Sequence, residues 1–187
     1  RGLGAPVEGY CEAGHPVQRA IAAAVAEATG DGAGLGWAVD GCSAPNFATT
    51  LAGLAAAAAR MADPARGFGG TGGARGRASA RLLEAMTAHP ALVAGEGRAC
   101  TGLMRALGGR AAVKTGAEGV YWAALGGRGL GVAVKIDDGA GRAAEVALAA
   151  ILARLGEGEA AAPWRRVALR DRTGRETGEL RPAAALA

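Results

Sequence analysis

The sequence is short of aromatic residues, lysine and histidine. Aromatics make up 4% of it, and it holds two lysines, Lys114 and Lys135, and two histidines, His15 and His89. Nucleic-acid recognition needs a basic face interleaved with aromatic or groove-reading elements. Apart from Arg165, Arg166, Arg170, Arg172 and Arg175, the arginines are scattered, so the net charge of +4 reads as a solvated basic tail in a G+C-rich coding sequence. A nucleic-acid partner is therefore not expected. No apolar run is long enough to cross a bilayer, because charges interrupt the alanine tracts, and no signal-peptide pattern opens the chain. The three cysteines, Cys11, Cys42 and Cys100, are odd in number and widely spaced, with no Cys-x-x-Cys. That argues against a disulfide framework and fits a reducing cytoplasm. The glycine-rich stretch 63–77 lacks a Gly-Lys-Ser/Thr ending, so it reads as a connector and not as a phosphate loop. The only serines are Ser43 and Ser79, and neither has a lysine three places on.

What is abundant is alanine and glycine. Half of the 187 residues are apolar, enough for a buried core in one domain or one large piece of a domain. Small side chains imply closely packed helices and tight turns. His15-Pro16 opens a helix to about Ala28, with Val17, Ile21, Ala24, Val25 and Ala28 as its apolar face and Gly30 as its stop. A short strand at 37–39 precedes the loop Cys42-Ser43-Ala44-Pro45-Asn46. A helix from about Phe47 to Met61, with Asn46 as cap, turns Leu51, Leu54, Ala55 and Ala58 inward. Helices are expected over Ser79–Ala88, with Leu82, Leu83 and Met86 inward, and over Arg98–Leu107. The periodicity then changes. Arg110–Thr115, Gly119–Leu125 and Leu130–Ile136 predict an antiparallel meander with a hairpin at Gly126-Gly127-Arg128-Gly129, covered by a helix over Arg142–Leu155. Helices followed by a meander and a covering helix make an α+β architecture. Residues 1–156 form its main body, and 157–187 form a polar, partly extended tail with one strand at Val167–Arg170. The opening Arg1-Gly2-Leu3-Gly4 reads like a helix end and predicts sequence before it.

The chemistry concentrates at Ala112-Val113-Lys114-Thr115-Gly116-Ala117-Glu118-Gly119-Val120-Tyr121. It sets a primary amine, a hydroxyl and a carboxylate at the end of a strand, which is where acyl- and amide-cleaving sites place such groups. A lysine that moves a proton needs burial or a nearby cation, and the apolar neighbours and glycines permit the first; a strand lysine facing water is the bland alternative. Cys42 follows Asp40-Gly41 in a turn able to present a thiolate, with a small buried hydrophobe as the alternative. Lys114 and Cys42 are expected to face one cleft, with Asp40 beside the cysteine. Cys100 lies at helical spacing with Leu103 and Met104 and suits either core or site. His15 and His89 both precede proline at helix boundaries, which suits capping or turn roles.

Several stretches, taken in order, resemble one family: Gly9-Tyr10-Cys11 through His15-Pro16-Val17-Gln18, Val39-Asp40-Gly41-Cys42-Ser43-Ala44-Pro45, His89-Pro90 through Gly95-Glu96-Gly97-Arg98, Lys114-Thr115-Gly116-Ala117-Glu118-Gly119-Val120, and Val134-Lys135-Ile136-Asp137-Asp138-Gly139. The chain is similar to the rhizobial-type L-asparaginases, the asparaginase II family, up to about Gly156 and more weakly beyond. The resemblance implies a serine β-lactamase/glutaminase-like fold, a homodimer, and hydrolysis of L-asparagine to L-aspartate and ammonia by a serine working with lysines in Ser-Lys pairs. It implies a zinc ion near the substrate. By position Lys114 matches a catalytic lysine, Asp40, Thr115 and Glu118 fall on the substrate side, and Cys42 and Cys100 are the metal candidates. The family's Ser-x-x-Lys and Cys-Ser-Gly-Lys-His segments have no counterpart here, so these residues look like the C-terminal portion of the enzyme and are expected to be inactive alone. Two other readings stay open: a different acyl-transfer enzyme on the same scaffold, a glutaminase or a β-lactam-interacting protein, and a non-catalytic assembly module.

Overall fold

The computed structural model describes residues 2–32, 36–68 and 73–187. The chain divides into two compact units, 1–57 and 58–187.

The first unit holds helix α1 (Pro16–Thr29) and a small antiparallel hairpin, β1 (Trp37–Val39) with β2 (Pro45–Phe47). Proline at the first helical position and a left-handed Gly30 at the end give α1 the expected boundaries. His15 is its cap: Nδ1 accepts from Val17 N–H at 3.2 Å, which leaves Nε2 to donate to the Pro6 carbonyl at 3.1 Å. The expected apolar face of α1 is not what is buried. Gln18 and Thr29 are buried, while Ile21 is 42% exposed. Both polar side chains find backbone acceptors, Tyr10 O for Gln18 and Val25 O for Thr29, so burial leaves them satisfied.

Helix α2 (Leu51–Ala62) starts later than expected, because Asn46 and Phe47 pair with β1. Its start is held by Asp31. That carboxylate accepts from Thr50 N–H at 2.9 Å, from the Thr50 hydroxyl at 2.8 Å, and from the Thr49 hydroxyl. The Thr49 hydroxyl first, then the Thr50 backbone and hydroxyl, hold the Asp31 carboxyl below the usual range. A β-carbon on Gly53 would land on this carboxylate. Leu51, expected inward, is 49% exposed.

The second unit carries the core. Short α3 (Pro64–Gly67) and α4 (Ala74–Ala88) occupy most of the stretch read as a connector, of which 69–72 lie outside the described residues. Leu82 of α4 is exposed, while Leu83 and Met86 are half-buried. After α5 (Pro90–Ala94), helix α6 (Ala99–Leu107) buries Cys100, Thr101, Leu103, Met104 and Leu107. The buried Thr101 hydroxyl lies within hydrogen-bonding reach of the Gly95 and Pro90 carbonyls, at 2.6 and 3.2 Å, and ties α6 to the loop before it. Strands β3 (Ala111–Thr115), β4 (Val120–Leu125) and β5 (Leu130–Lys135) form the antiparallel meander, in that order. Helix α7 (Gly141–Leu152) covers it, as expected. It runs through a π-helical turn at Ala153–Glu157, broken at a left-handed Gly156, into α8 (Gly158–Arg165). A two-stranded hairpin, β6 (Val167–Arg170) with β7 (Glu176–Leu180), follows. The expected strand is present, and so is a partner that the polar sequence did not announce. Helical segments beside antiparallel sheets agree with the α+β expectation. Among the described residues no helix is long and apolar enough to cross a membrane.

Alternation along the strands gives the sheet two faces. Val113, Tyr121, Ala123, Leu125, Val132 and Val134 pack with α6, α7 and α8 in the main cluster. Trp122 and Ala124 pack on the other side with Ala58, Ala62 and Leu83. Small residues set the spacing of these layers. A β-carbon on Gly102 of α6 would strike the Trp164 indole of α8, reaching Cη2 at 2.9 Å. Gly102→Ala is therefore expected to cost about 1–3 kcal/mol of overpacking, partly offset by about 1 kcal/mol of helix propensity. A lowered urea midpoint with a red-shifted tryptophan emission is the expected readout.

Candidate active site

Lys114 and Thr115 end strand β3 on opposite faces of the sheet. Lys114 pairs across with Trp122 and is half-buried; Thr115 pairs with Tyr121. The lysine curls over the strand end, and Nζ donates to the Thr115 carbonyl at 2.6 Å. The Thr115 hydroxyl donates to the Gly116 carbonyl at 3.0 Å. The amine and the hydroxyl thus each end on a backbone carbonyl at the strand end, those of Thr115 and Gly116.

The turn that follows is strained. Glu118 has φ of +53°, and its carboxylate lies against Gly139 in the loop after β5. The backbone is pinned by Gly116 N–H to Val120 O at 2.7 Å and by Ile136 N–H to Gly119 O at 3.1 Å. Asp40 and Cys42 lie in the β1–β2 turn of the first unit. Asp40 Oδ1 accepts from Gly41 N–H at 2.7 Å, Cys42 is exposed, and Ser43 beside it has φ of +68°. Among the described residues, Glu118 and Ser43 are the two non-glycine residues with positive φ. Left-handed backbone at such residues persists only where the surroundings enforce it, and it gathers at functional sites. Both lie in the two segments singled out by their chemistry. Glu118→Gly is expected to raise stability by about 1 kcal/mol, the strain released, while lowering activity; paired denaturation and rate measurements check it.

Cys100 is buried to 1% exposure within the main apolar cluster. It stands beside Tyr121, which spacing alone did not single out. The buried Tyr121 hydroxyl donates to Glu145 Oε1 of α7 at 3.0 Å, and Thr115 and Cys100 also lie in hydrogen-bonding reach of it. Burial first, then the charge of Cys100 and of Glu145, pushes the Tyr121 phenol well above its ordinary range. The sequence signal for this group was faint: a tyrosine at the inward register of a strand and a lone glutamate in an alanine-rich helix. A phenol that holds its proton more tightly folded than unfolded leaves stability intact below about pH 10 and drains it as pH rises beyond that. Urea midpoints are expected to fall between pH 9.5 and about 11, and Tyr121→Phe to flatten that fall while losing about 1–3 kcal/mol at neutral pH.

In the first unit, Cys11 hydrogen-bonds the Tyr10 hydroxyl and is the main cause raising that phenol, with Cys42 adding to it. Among the described residues no group of three or more His, Cys, Asp or Glu stands together as a metal could use. Cys42 and Cys100 do not by themselves meet the three or four ligands that zinc takes. Asp40 and Cys42 stand in one unit, and Lys114, Thr115, Glu118 and Cys100 in the other.

A model of the L-asparaginase II family matches residues 1–182. The chain belongs to the L-asparaginase II family. No curated protein matches it. The family match spans both units and takes in the Asp40–Cys42 turn and the Lys114–Glu118 segment together. Membership in the L-asparaginase II family points to asparagine hydrolysis in general, which is amidohydrolase chemistry, with asparagine as substrate.

Proposed function

We propose that this chain serves an amidohydrolase that converts L-asparagine to L-aspartate and ammonia by a Ser-Lys mechanism on a serine β-lactamase/glutaminase-like scaffold. The observation that supports it most is the end of β3, where an amine, a hydroxyl and an enforced left-handed Glu118 are gathered within five residues. A serine oxygen attacks the side-chain amide carbon, ammonia leaves, and water cleaves the resulting ester to aspartate. Lys114 moves the proton between serine and leaving amine, and Thr115 and Glu118 orient the substrate's polar groups. Ser79 is buried in α4 and Ser43 is exposed in the β1–β2 turn. Neither has a lysine three places on, so the nucleophile is assigned to residues other than these 187. Asp40 on the substrate side, Cys42 and Cys100 as zinc candidates, and the homodimer rest on the family resemblance. The three free thiols favour a reducing, cytoplasmic setting.

The test is ammonia release by the full-length protein from L-asparagine and L-glutamine, with acylation by a β-lactam as a third arm. A preference for asparagine is expected. A preference for glutamine, or a stable β-lactam adduct, moves the reading to another acyl-transfer enzyme on this scaffold. Full turnover by residues 1–187 alone refutes the placement of the nucleophile.

A further inference from the structure

A second place in the larger unit gathers charge that the amide chemistry does not use. A cavity of about 480 Å³ lies between the end of α8 and the segment after β7, with Arg165, Arg166 and Arg181 on its lining. Its remaining walls are small, formed by Ala162, Pro182, Ala184 and Ala187, whose carbonyl oxygen accepts from Arg154 Nη2 at 3.2 Å. Two of the guanidiniums share one carboxylate. Arg166 Nη1 reaches the Glu179 oxygens at 3.1 and 3.3 Å, and Arg181 Nε reaches Oε1 at 3.2 Å. Arg165 is different: its Nε is buried and has no hydrogen-bond partner. A buried donor on a permanent cation, left unpaired, carries the full cost of its desolvation, and proteins leave few of them. Its place in the last turn of α8 complements the helix dipole but supplies no acceptor for that nitrogen.

We propose that this cavity binds a small organic anion, one with a carboxylate or phosphate-ester head, whose charge is met by the Arg165 guanidinium, with Arg166 and Arg181 at the rim. The planar fork of arginine suits both heads. The volume lies within the range of small-molecule sites and exceeds what a bare inorganic ion fills, and the alanine and proline walls suit a short apolar body. Glu179 is the competitor. It holds the two rim arginines with the same chemistry that a ligand would offer. This site is independent of the asparagine reading and stands or falls separately.

The experiment measures the melting temperature of the full-length protein with phenyl phosphate or with succinate, at ionic strength matched with sodium chloride. A ligand at ten times its Kd is expected to raise Tm by about 3 °C. A rise with phenyl phosphate alone identifies a phosphate-ester site, with succinate alone a carboxylate site, and with both a site that reads charge and size. Arg165→Gln is expected to abolish the rise. Glu179→Gln removes the competitor and is expected to tighten binding by about two- to fivefold, whereas Glu176→Gln, which frees Arg170 elsewhere on the hairpin, leaves it unchanged. The proposal is overturned if neither probe moves Tm, if the rise survives Arg165→Gln, or if Glu176→Gln tightens binding as much as Glu179→Gln. Because Glu179→Gln predicts a gain, a misfolded Arg165 variant does not shelter the idea.

Discussion

Lys114→Met in the full-length protein is expected to lower kcat for asparagine by about 10²- to 10⁴-fold, the usual worth of a positioned proton-transfer group. KM is expected to move far less, because the loss falls on the transition state and not on uniform binding. Methionine keeps the length of the side chain and its contact surface beside Trp122, the cross-strand partner of Lys114. It removes the amine and its bond to the Thr115 carbonyl. Lys114 is half-buried and outside the packed clusters, so the melting temperature is expected to stay within a few degrees of the parent. Two companions sharpen the result. Lys114→Arg keeps the positive charge but cannot give up a proton near neutral pH. It is expected to stay slow if the amine carries protons, and to recover if only charge is needed. Lys135→Met, at the exposed end of β5, tests the only other lysine and is expected to turn over normally. A Lys114→Met enzyme as fast as its parent would remove the amine from the mechanism and favour the assembly-module reading.

The sheet and its covering helix were legible because three signals agreed. Val and Tyr alternate with small residues over 111–135, glycines punctuate the turns, and Arg142–Leu155 returns to helical spacing. Hairpin register then follows from the turns. Burial in the helices was far less legible. With so much alanine, any face of α1, α2 or α4 can pass as apolar, so the exposure of Ile21, Leu51 and Leu82 could not be read from spacing. The cap of α2 was misplaced for a related reason. Asn46 has the right chemistry, but it is committed to a strand, and the acceptor comes from Asp31, fifteen residues earlier in the chain. At the site, Lys114, Thr115 and Glu118 share a contiguous segment and could be singled out from it. Tyr121 and Glu145 could not, because their bond joins a strand to a helix 24 residues away and neither carries a local motif.

Leu148→Ala is expected to destabilise the protein by about 4–5 kcal/mol, at the upper end for such a truncation. Leu148 of α7 has no exposure and belongs to the main cluster with Leu103, Leu107 and Val134. The cost of a cavity depends on how far the neighbours can collapse into it. Here much of what flanks the leucine along its own helix is alanine, Ala144, Ala147, Ala149 and Ala150, whose side chains have no rotamers with which to follow. The sheet below is fixed by its ladder, so the backbone cannot approach either. Leu148→Met, which keeps the volume, is expected to cost less than about 1.5 kcal/mol. Urea denaturation of the two variants reads the difference, and bound xenon or benzene in the alanine variant would mark the space left behind. An alanine variant within about 1 kcal/mol of the methionine one would mean that α7 can shift over the sheet. The alanine-rich layers would then be yielding, not rigid, and the fixed strand end that presents Lys114 would need another source of support.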